Sequence, residues 1–166
     1  GDIKLIEIYK NLGVISSFEK NTLCLKKDKN HKLPKKVILD LNDNPDLAQT
    51  IAVSCFGLGL QCDLYGLQTL KIKETDRLLA LEKELVKLGG NVLITNDSLH
   101  LKKSKEFNVN ICIDTYEDHR MAMAFAPLGI IKPIIINDPM VVSKSFPTYW
   151  KALKKLNFRI SEYKRN

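Results

Sequence analysis

The order of elements in this chain repeats, and that constrains the fold more than any single residue does. "KVILDL" (36–41) reads as a buried strand and "NPDLAQTIAVSCFGLG" (44–59) as an apolar helix with Asn44 as cap and Pro45 at its first position. "CDLYGL" (62–67) reads as a strand, and an amphipathic helix begins near Thr75, its Leu78, Leu81 and Leu85 at helical spacing. Gly89-Gly90 ends that helix, and "NVLIT" and "LHLKK" form a strand pair turning around Asn96-Asp97. The same order then restarts: strand "VNICID" (109–114), apolar helix "EDHRMAMAFAPLG" (117–129), strand "PIIIND" (133–138), helix "FPTYWKALKKLN" (146–157) and strand "FRISEY" (158–163). Asp46 and Asp118 start the two apolar helices 72 residues apart, and Lys73 and Lys144 precede the two second helices 71 residues apart. A near-constant offset of this kind marks a structural repeat.

The opening stretch fits only the second half of such a unit. "IKLIEIYKNLG" is a helix ended by Gly13, and "VISSF" with "TLCLK" is a strand pair. The chain thus reads as a fragment that begins inside a repeat: one partial domain over 1–166, with units at about 1–27 (partial), 36–103 and 108–164. The helices "LAQTIAVSCFGLG" and "MAMAFAPLG" carry almost no charge and should be buried on nearly all sides. That puts helices inside and sheets outside, an inside-out α/β arrangement of repeated βαβαββ units.

Composition narrows the function classes. With 166 residues, 45% hydrophobic and 27% charged, the chain can build a real core. No apolar run approaches the ~20 residues of a membrane span, and no secretory signal opens the sequence. Cys24, Cys55, Cys62 and Cys112 form no CxxC pair, and His31, His100 and His119 have no HxxxH-type spacing. Reduced thiols, a cytoplasmic setting and no metal are expected. The net charge of +7 favours anionic ligands, but with 7% aromatics there is no interleaved stacking platform for nucleic acid.

The cations stand in unusual places. A helix start carries the positive end of the macrodipole, which suits Glu74 and Asp76 but not Lys73 and Arg77. Arg120 and Lys144 repeat the anomaly. Units packed around a common axis would gather these helix starts at one rim, where an anion bearing phosphate and carboxylate groups would reverse the sign of each cost. Blander readings stay open at each place. Lys73 and Arg77 could pair with Glu74, Asp76 or Glu84 in a solvated network. Asp118 could be only a cap with Arg120 at the surface, Lys144 a surface lysine, and Asp46 a dipole-favoured acid.

Together, "KIKETDRL", "EDHRMAMAFA" and "VVSKSFPTYW", and more loosely "NPDLAQT", resemble the 5-enolpyruvylshikimate-3-phosphate synthase family. The resemblance spans nearly the whole chain and matches the C-terminal part of the family's proteins. It implies two globular halves, each of three βαβαββ units, with the active site between them, so the N-terminal half becomes a required partner. It implies transfer of the enolpyruvyl group of phosphoenolpyruvate to the 5-hydroxyl of shikimate 3-phosphate, releasing phosphate, with no cofactor. By the same resemblance Asp46 is the base at the shikimate hydroxyl, with Lys73 beside it, and Glu74 exchanges the proton at the methylene carbon. Arg77, Arg120 and Lys144 hold phosphoenolpyruvate, with His119 on its phosphate side. Some members place an asparagine before the KETDR-like run. Here Thr69 offers a hydroxyl in that neighbourhood. The sister family acting on a UDP-amino sugar shares the chemistry class, but the KETDRL and DHRMAM runs argue against it. A non-catalytic anion-binding module is the alternative of a different class.

Overall fold

The computed structural model describes residues 3–73, 75–104 and 106–163. Helix α1 (Lys4–Lys10) packs on an antiparallel hairpin of β1 (Val14–Glu19) and β2 (Thr22–Lys27). The next segment builds a four-stranded sheet from β3 (Lys36–Asp40), β4 (Gln61–Tyr65), β5 (Asn91–Ile94) and β6 (Ser98–Lys102), in the order β3-β4-β6-β5. β3 and β4 are parallel and joined by helix α2 (Ala48–Gly57), while β6 pairs antiparallel with both β4 and β5. The expected turn at Asn96-Asp97 joins β5 to β6, and the Thr95 N–H bonds the Ser98 carbonyl across it at 3.0 Å.

Alternation decides which face of this sheet is inside. Cys62, Leu64, Leu99 and Leu101 are buried on one face, while Ile38 is 63% exposed on the other beside Asp63 and His100. Helix α2 lies against the buried face and is covered on its far side by α4 (His119–Phe125). Its buried residues are apolar except Gln49. Helices therefore occupy the interior and the sheet turns outward. Each leucine so buried contributes roughly 1.5–3 kcal/mol.

Helix α3 (Arg77–Lys87) starts two residues later than expected, because Asp76 rather than Thr75 caps it: its carboxylate accepts the Leu79 N–H at 2.9 Å. It buries Leu78, Ala80, Leu81 and Leu85. It ends at Gly89, whose φ of +97° suits glycine, with the Gly90 N–H returning to the Leu85 carbonyl. Gly66 is a second forced glycine. Its φ is +76°, and a Cβ there would lie 2.5 Å from the Asn42 backbone nitrogen.

Five expectations need correction. The strand at 36–41 is not buried throughout: in β3 Lys36, Ile38 and Asp40 are exposed and Val37 and Leu39 half-buried, since one face of the sheet turns outward. The segment starting at Pro45 is a 3-10 turn (Pro45–Leu47) before α2 begins, and Asn44 makes no side-chain cap bond. The strands expected at 109–114 and 133–138 shrink to β7 (Cys112–Ile113) and β8 (Ile135–Ile136), a parallel pair. Residues 158–163 form no strand, since no neighbouring strand offers them hydrogen bonds; Phe158 and Ile160 instead pack against a small second core. That core holds Ala122, Ala126, Val142, Tyr149 and Leu153. Helix α5 (Tyr149–Lys155) begins five residues after Lys144, which ends a 3-10 segment (Pro139–Lys144) instead of heading a helix. A 3-10 segment (Gln68–Ile72) likewise runs up to Lys73, so the two lysines do share a local setting.

Candidate active site

Three separate stretches meet at one cluster. Asp46 comes from the 3-10 turn before α2, Arg77 from the first residue of α3, and Asp118 from the cap of α4. Arg77 joins them. Its Nε donates to Asp118 Oδ2 at 2.7 Å, its Nη2 reaches Asp118 Oδ1 at 3.5 Å, and its Nη1 donates to Asp46 Oδ1 at 2.9 Å. Arg77 is 2% exposed and Asp118 is fully buried, so this is an interior ion pair and not a solvated one. Burying two charges is costly unless their remaining polar atoms are also bonded. Asp118 meets that condition: it also accepts the Arg120 N–H at 2.8 Å and Gln49 Nε2 at 3.2 Å.

The anomaly of a cation at a helix start is thereby resolved. Arg77 sits where the dipole of α3 repels it, and two carboxylates from other segments offset that repulsion. Arg77 is buried, so the solvated reading does not hold for this residue; Glu74, one of its expected partners, lies outside the described residues. Asp76 is used as a cap, and Glu84 is buried and paired with Lys87.

Around Asp46 the charge is mixed and accessible. Lys73 Nζ lies 3.5 Å from Asp46 Oδ1, Arg120 Nη2 lies 3.7 Å from Oδ2, and Arg120 Nη1 donates to the Asp46 carbonyl at 3.3 Å. The Lys73, Asp46 and Arg120 side chains are each about a third exposed, at 35%, 36% and 33%. They form the open mouth above the buried Arg77–Asp118 pair. His119 is half-buried, its Nδ1 3.8 Å from Asp118 Oδ1. Thr69 is exposed, on the 3-10 segment packed against the Asp46 turn. Lys144 is exposed at the end of a 3-10 segment packed on α4, and among the described residues no ion pair joins it to Asp46. Glu74 lies outside the described residues.

A second polar network stands behind the cluster. Glu84 is fully buried two helical turns beyond Arg77. It accepts the Tyr116 hydroxyl at 2.6 Å, the Asp114 N–H at 3.1 Å and Lys87 Nζ at 2.8 Å. Lys87 also bonds Asp114 at 2.7 Å. Burial, then the bond to Glu84, pushes the Tyr116 phenol up to about 12, so it stays a proton donor at neutral pH. Burial works against the charge of Lys87, but the carboxylates of Asp114 and Glu84 outweigh it and hold its pKa above the usual value. The intervening turn carries two non-glycine residues with left-handed backbone, Tyr116 (φ +53°) and Glu117 (φ +58°), each costing about 1–2 kcal/mol.

Sequence reasoning finds Asp46, Lys73, Arg77 and Arg120 as a gathering of charge, but gives Asp118 only a capping role, offers Glu84 only as a solvated partner of Lys73 or Arg77, and passes over Gln49 and Tyr116. One signal is available. Arg77 and Glu84 are seven residues apart, on the same stripe as Leu78, Leu81 and Leu85. Charges on an apolar stripe must find partners inside.

Comparisons with known proteins bear on the family and the fold. The sequence profile described as EPSP synthase (3-phosphoshikimate 1-carboxyvinyltransferase) matches residues 1–153. A 3-phosphoshikimate 1-carboxyvinyltransferase of Bacteroides fragilis is 45% identical over 163 residues, covering 96% of this chain and 39% of that protein. One from Neisseria meningitidis serogroup C is 33% identical over 157 residues, covering 94% of this chain and 36% of the relative. Among solved structures, an EPSP synthase of Acinetobacter baumannii superposes with a TM-score of 0.69 at 25% identity, over 91% of this chain and 38% of that one. A second structure of EPSP synthase from that organism gives 0.71 at 22% identity, over 95% and 39%. This chain thus spans about two-fifths of the length of the relatives it matches. Its outward sheets and interior helices are those of the inside-out α/β enolpyruvyl transferase fold, and by sequence and by fold the chain belongs to the EPSP synthase family.

Proposed function

We propose that this chain is the C-terminal portion of a longer enzyme that transfers the enolpyruvyl group of phosphoenolpyruvate to the 5-hydroxyl of shikimate 3-phosphate. The supporting observation is the convergence on Asp46 of Lys73 and Arg77 from one stretch and Arg120 from another. A carboxylate ringed by cations at an open mouth suits a reaction that joins two anions and moves a proton between them.

In this reading Asp46 accepts the proton of the 5-hydroxyl while Lys73, at its side, binds shikimate 3-phosphate. The methylene carbon of phosphoenolpyruvate gains a proton, the neighbouring carbon becomes electrophilic, and the hydroxyl oxygen bonds to it. The adduct then expels inorganic phosphate as a proton leaves the new methyl group. Glu74 is the proposed group for both proton exchanges at carbon. Arg120, Lys144 and the outer edge of Arg77 hold the carboxylate and phosphate of phosphoenolpyruvate, with His119 on the phosphate side. Arginine suits bidentate contact with such anions, and lysine supplies a point charge. Thr69 is proposed as a hydroxyl contact to the shikimate ring. The reaction needs no cofactor, and the remaining cleft wall comes from the rest of the longer protein. We place the enzyme in the cytoplasm. Among the described residues no helix is long and apolar enough to cross a membrane. The repeat boundaries proposed are 1–27, 36–103 and 108–164.

The test is phosphate release from shikimate 3-phosphate plus phosphoenolpyruvate. A protein of full family length containing this chain should release phosphate, and residues 1–166 alone should release little or none. An inactive full-length protein removes the enzyme reading. Strong turnover by residues 1–166 alone removes the shared cleft.

A further inference from the structure

Helix α3 grips the segment 114–118 at two points. At its first residue, Arg77 holds the Asp118 carboxylate. Seven residues later, Glu84 holds the Tyr116 hydroxyl and the Asp114 N–H. Seven residues are two helical turns, so both grips lie on one face, roughly 10 Å apart. Between them sit the two left-handed residues Tyr116 and Glu117. Neither is glycine, so this turn does not persist through its own backbone preference. The turn leads directly into Asp118, then His119, whose ring nitrogen lies 3.8 Å from Asp118, and Arg120, whose guanidinium reaches the mouth of the cluster.

We propose that Glu84 and Tyr116 form a latch that positions His119 and Arg120 toward the anionic substrate, an inference that rests on the enolpyruvyl-transfer reading. Among the described residues no bond joins either latch residue to the mouth; both act through the strained turn. Glu84 is suited to this because it is fully buried and its charge is matched by Lys87, which ties it to Asp114 as well. The grip at Asp118 alone fixes one end of the turn. The grip at Tyr116 fixes the rotation of the chain entering α4.

The test uses Tyr116→Phe in the full-length protein, which removes one hydroxyl and no ring. Two readouts are taken. Amide hydrogen exchange over residues 115–121 should quicken about tenfold, as loss of a charge-assisted hydrogen bond allows. The apparent KM for phosphoenolpyruvate should rise about 5–10-fold, with kcat and the KM for shikimate 3-phosphate within about twofold. Glu84→Gln, which weakens the acceptor, should move both readouts the same way and replaces Tyr116→Phe if that variant does not fold. Unchanged exchange overturns the latch. Faster exchange with an unchanged KM for phosphoenolpyruvate overturns its positioning role, as does a uniform shift of all three kinetic values. No turnover in the unaltered protein overturns the enolpyruvyl reading instead, and exchange alone then decides the latch.

Discussion

Replacing Arg77 with methionine should destabilise the protein by about 3 kcal/mol, and the structure says why. The change keeps most of the buried stem and deletes the guanidinium. Asp118, fully buried, loses its 2.7 Å and 3.5 Å bonds and, among the described residues, keeps the Arg120 N–H and Gln49 Nε2 as hydrogen-bond donors. Removing one partner of a buried ion pair typically costs about 3–5 kcal/mol. The two surviving donors to Asp118, and the release of the more exposed Asp46, place Arg77→Met at the lower end. Asp118→Asn isolates the pair cleanly, because asparagine caps helices about as well as aspartate. The double variant should therefore recover about 2 kcal/mol relative to the sum of the single changes. The assay is urea unfolding at neutral pH of all four proteins, with equal slopes required before midpoints are converted to free energies. Because the pair is shielded from solvent, the coupling should change little between low and moderate salt. A cost below about 1 kcal/mol for Arg77→Met, or additivity within about 0.5 kcal/mol, would refute the claim that these two groups depend on each other.

Other named contacts carry expectations of their own. Arg120→Ala in the full-length protein should weaken phosphoenolpyruvate binding by about 1.5–3 kcal/mol, read as an equilibrium dissociation constant with shikimate 3-phosphate present; an unchanged constant removes Arg120 from the site. Gly66→Ala should destabilise by about 2 kcal/mol or more in urea, since alanine meets both a left-handed φ and the Asn42 backbone; a neutral result would mean that this turn can shift freely. Burial raises the Tyr149 phenol to about 12 where it donates to the Met123 carbonyl, above the 10 of a free tyrosine. Its contribution is present below pH 10 and lost as pH rises toward 12, about 1–2 kcal/mol that Tyr149→Phe should not lose over the same window; identical pH profiles would contradict it.

How far the sequence can be read depends on the range of the interaction. The strand–helix alternation, the Asn96-Asp97 turn and the burial of α2 and α4 rest on local pattern and overall hydrophobicity, and all are present. The segment 158–163 has the alternation of a strand, but alternation signals one only where a neighbour supplies hydrogen bonds, and among the described residues no strand pairs with it. The helix expected over 146–157 places Lys144 just before a helix start; the chain instead closes a 3-10 segment there. In the site, Lys73, Arg77 and Arg120 meet at Asp46 as the gathering of helix starts leads one to expect, while among the described residues no ion pair brings Lys144 to it. The choice of Asp118 as the partner of Arg77 is not legible, since 41 residues separate them and nothing local selects one carboxylate over another. Tyr116 and Glu117 are equally hidden: their left-handed backbone is imposed by the grips on either side.

The position of β6 between β4 and β5 also bears on how the sheet assembles. β5 and β6 are neighbours in sequence and can zip together around a two-residue turn, a local event on the microsecond scale. β3 and β4 must enclose α2 before their parallel pairing gains anything, and that longer excursion carries a larger closure entropy. β6 is the strand that joins these two pieces, through its register with β4 from Cys62↔Leu101 to Tyr65↔Ser98. A ribbon that forms early thus waits for a slower crossover, and its open edge is the strand that will later lie in the middle of the sheet. During refolding, that unpaired middle strand is where two nascent chains would first adhere, so yield should fall with protein concentration until β4 arrives.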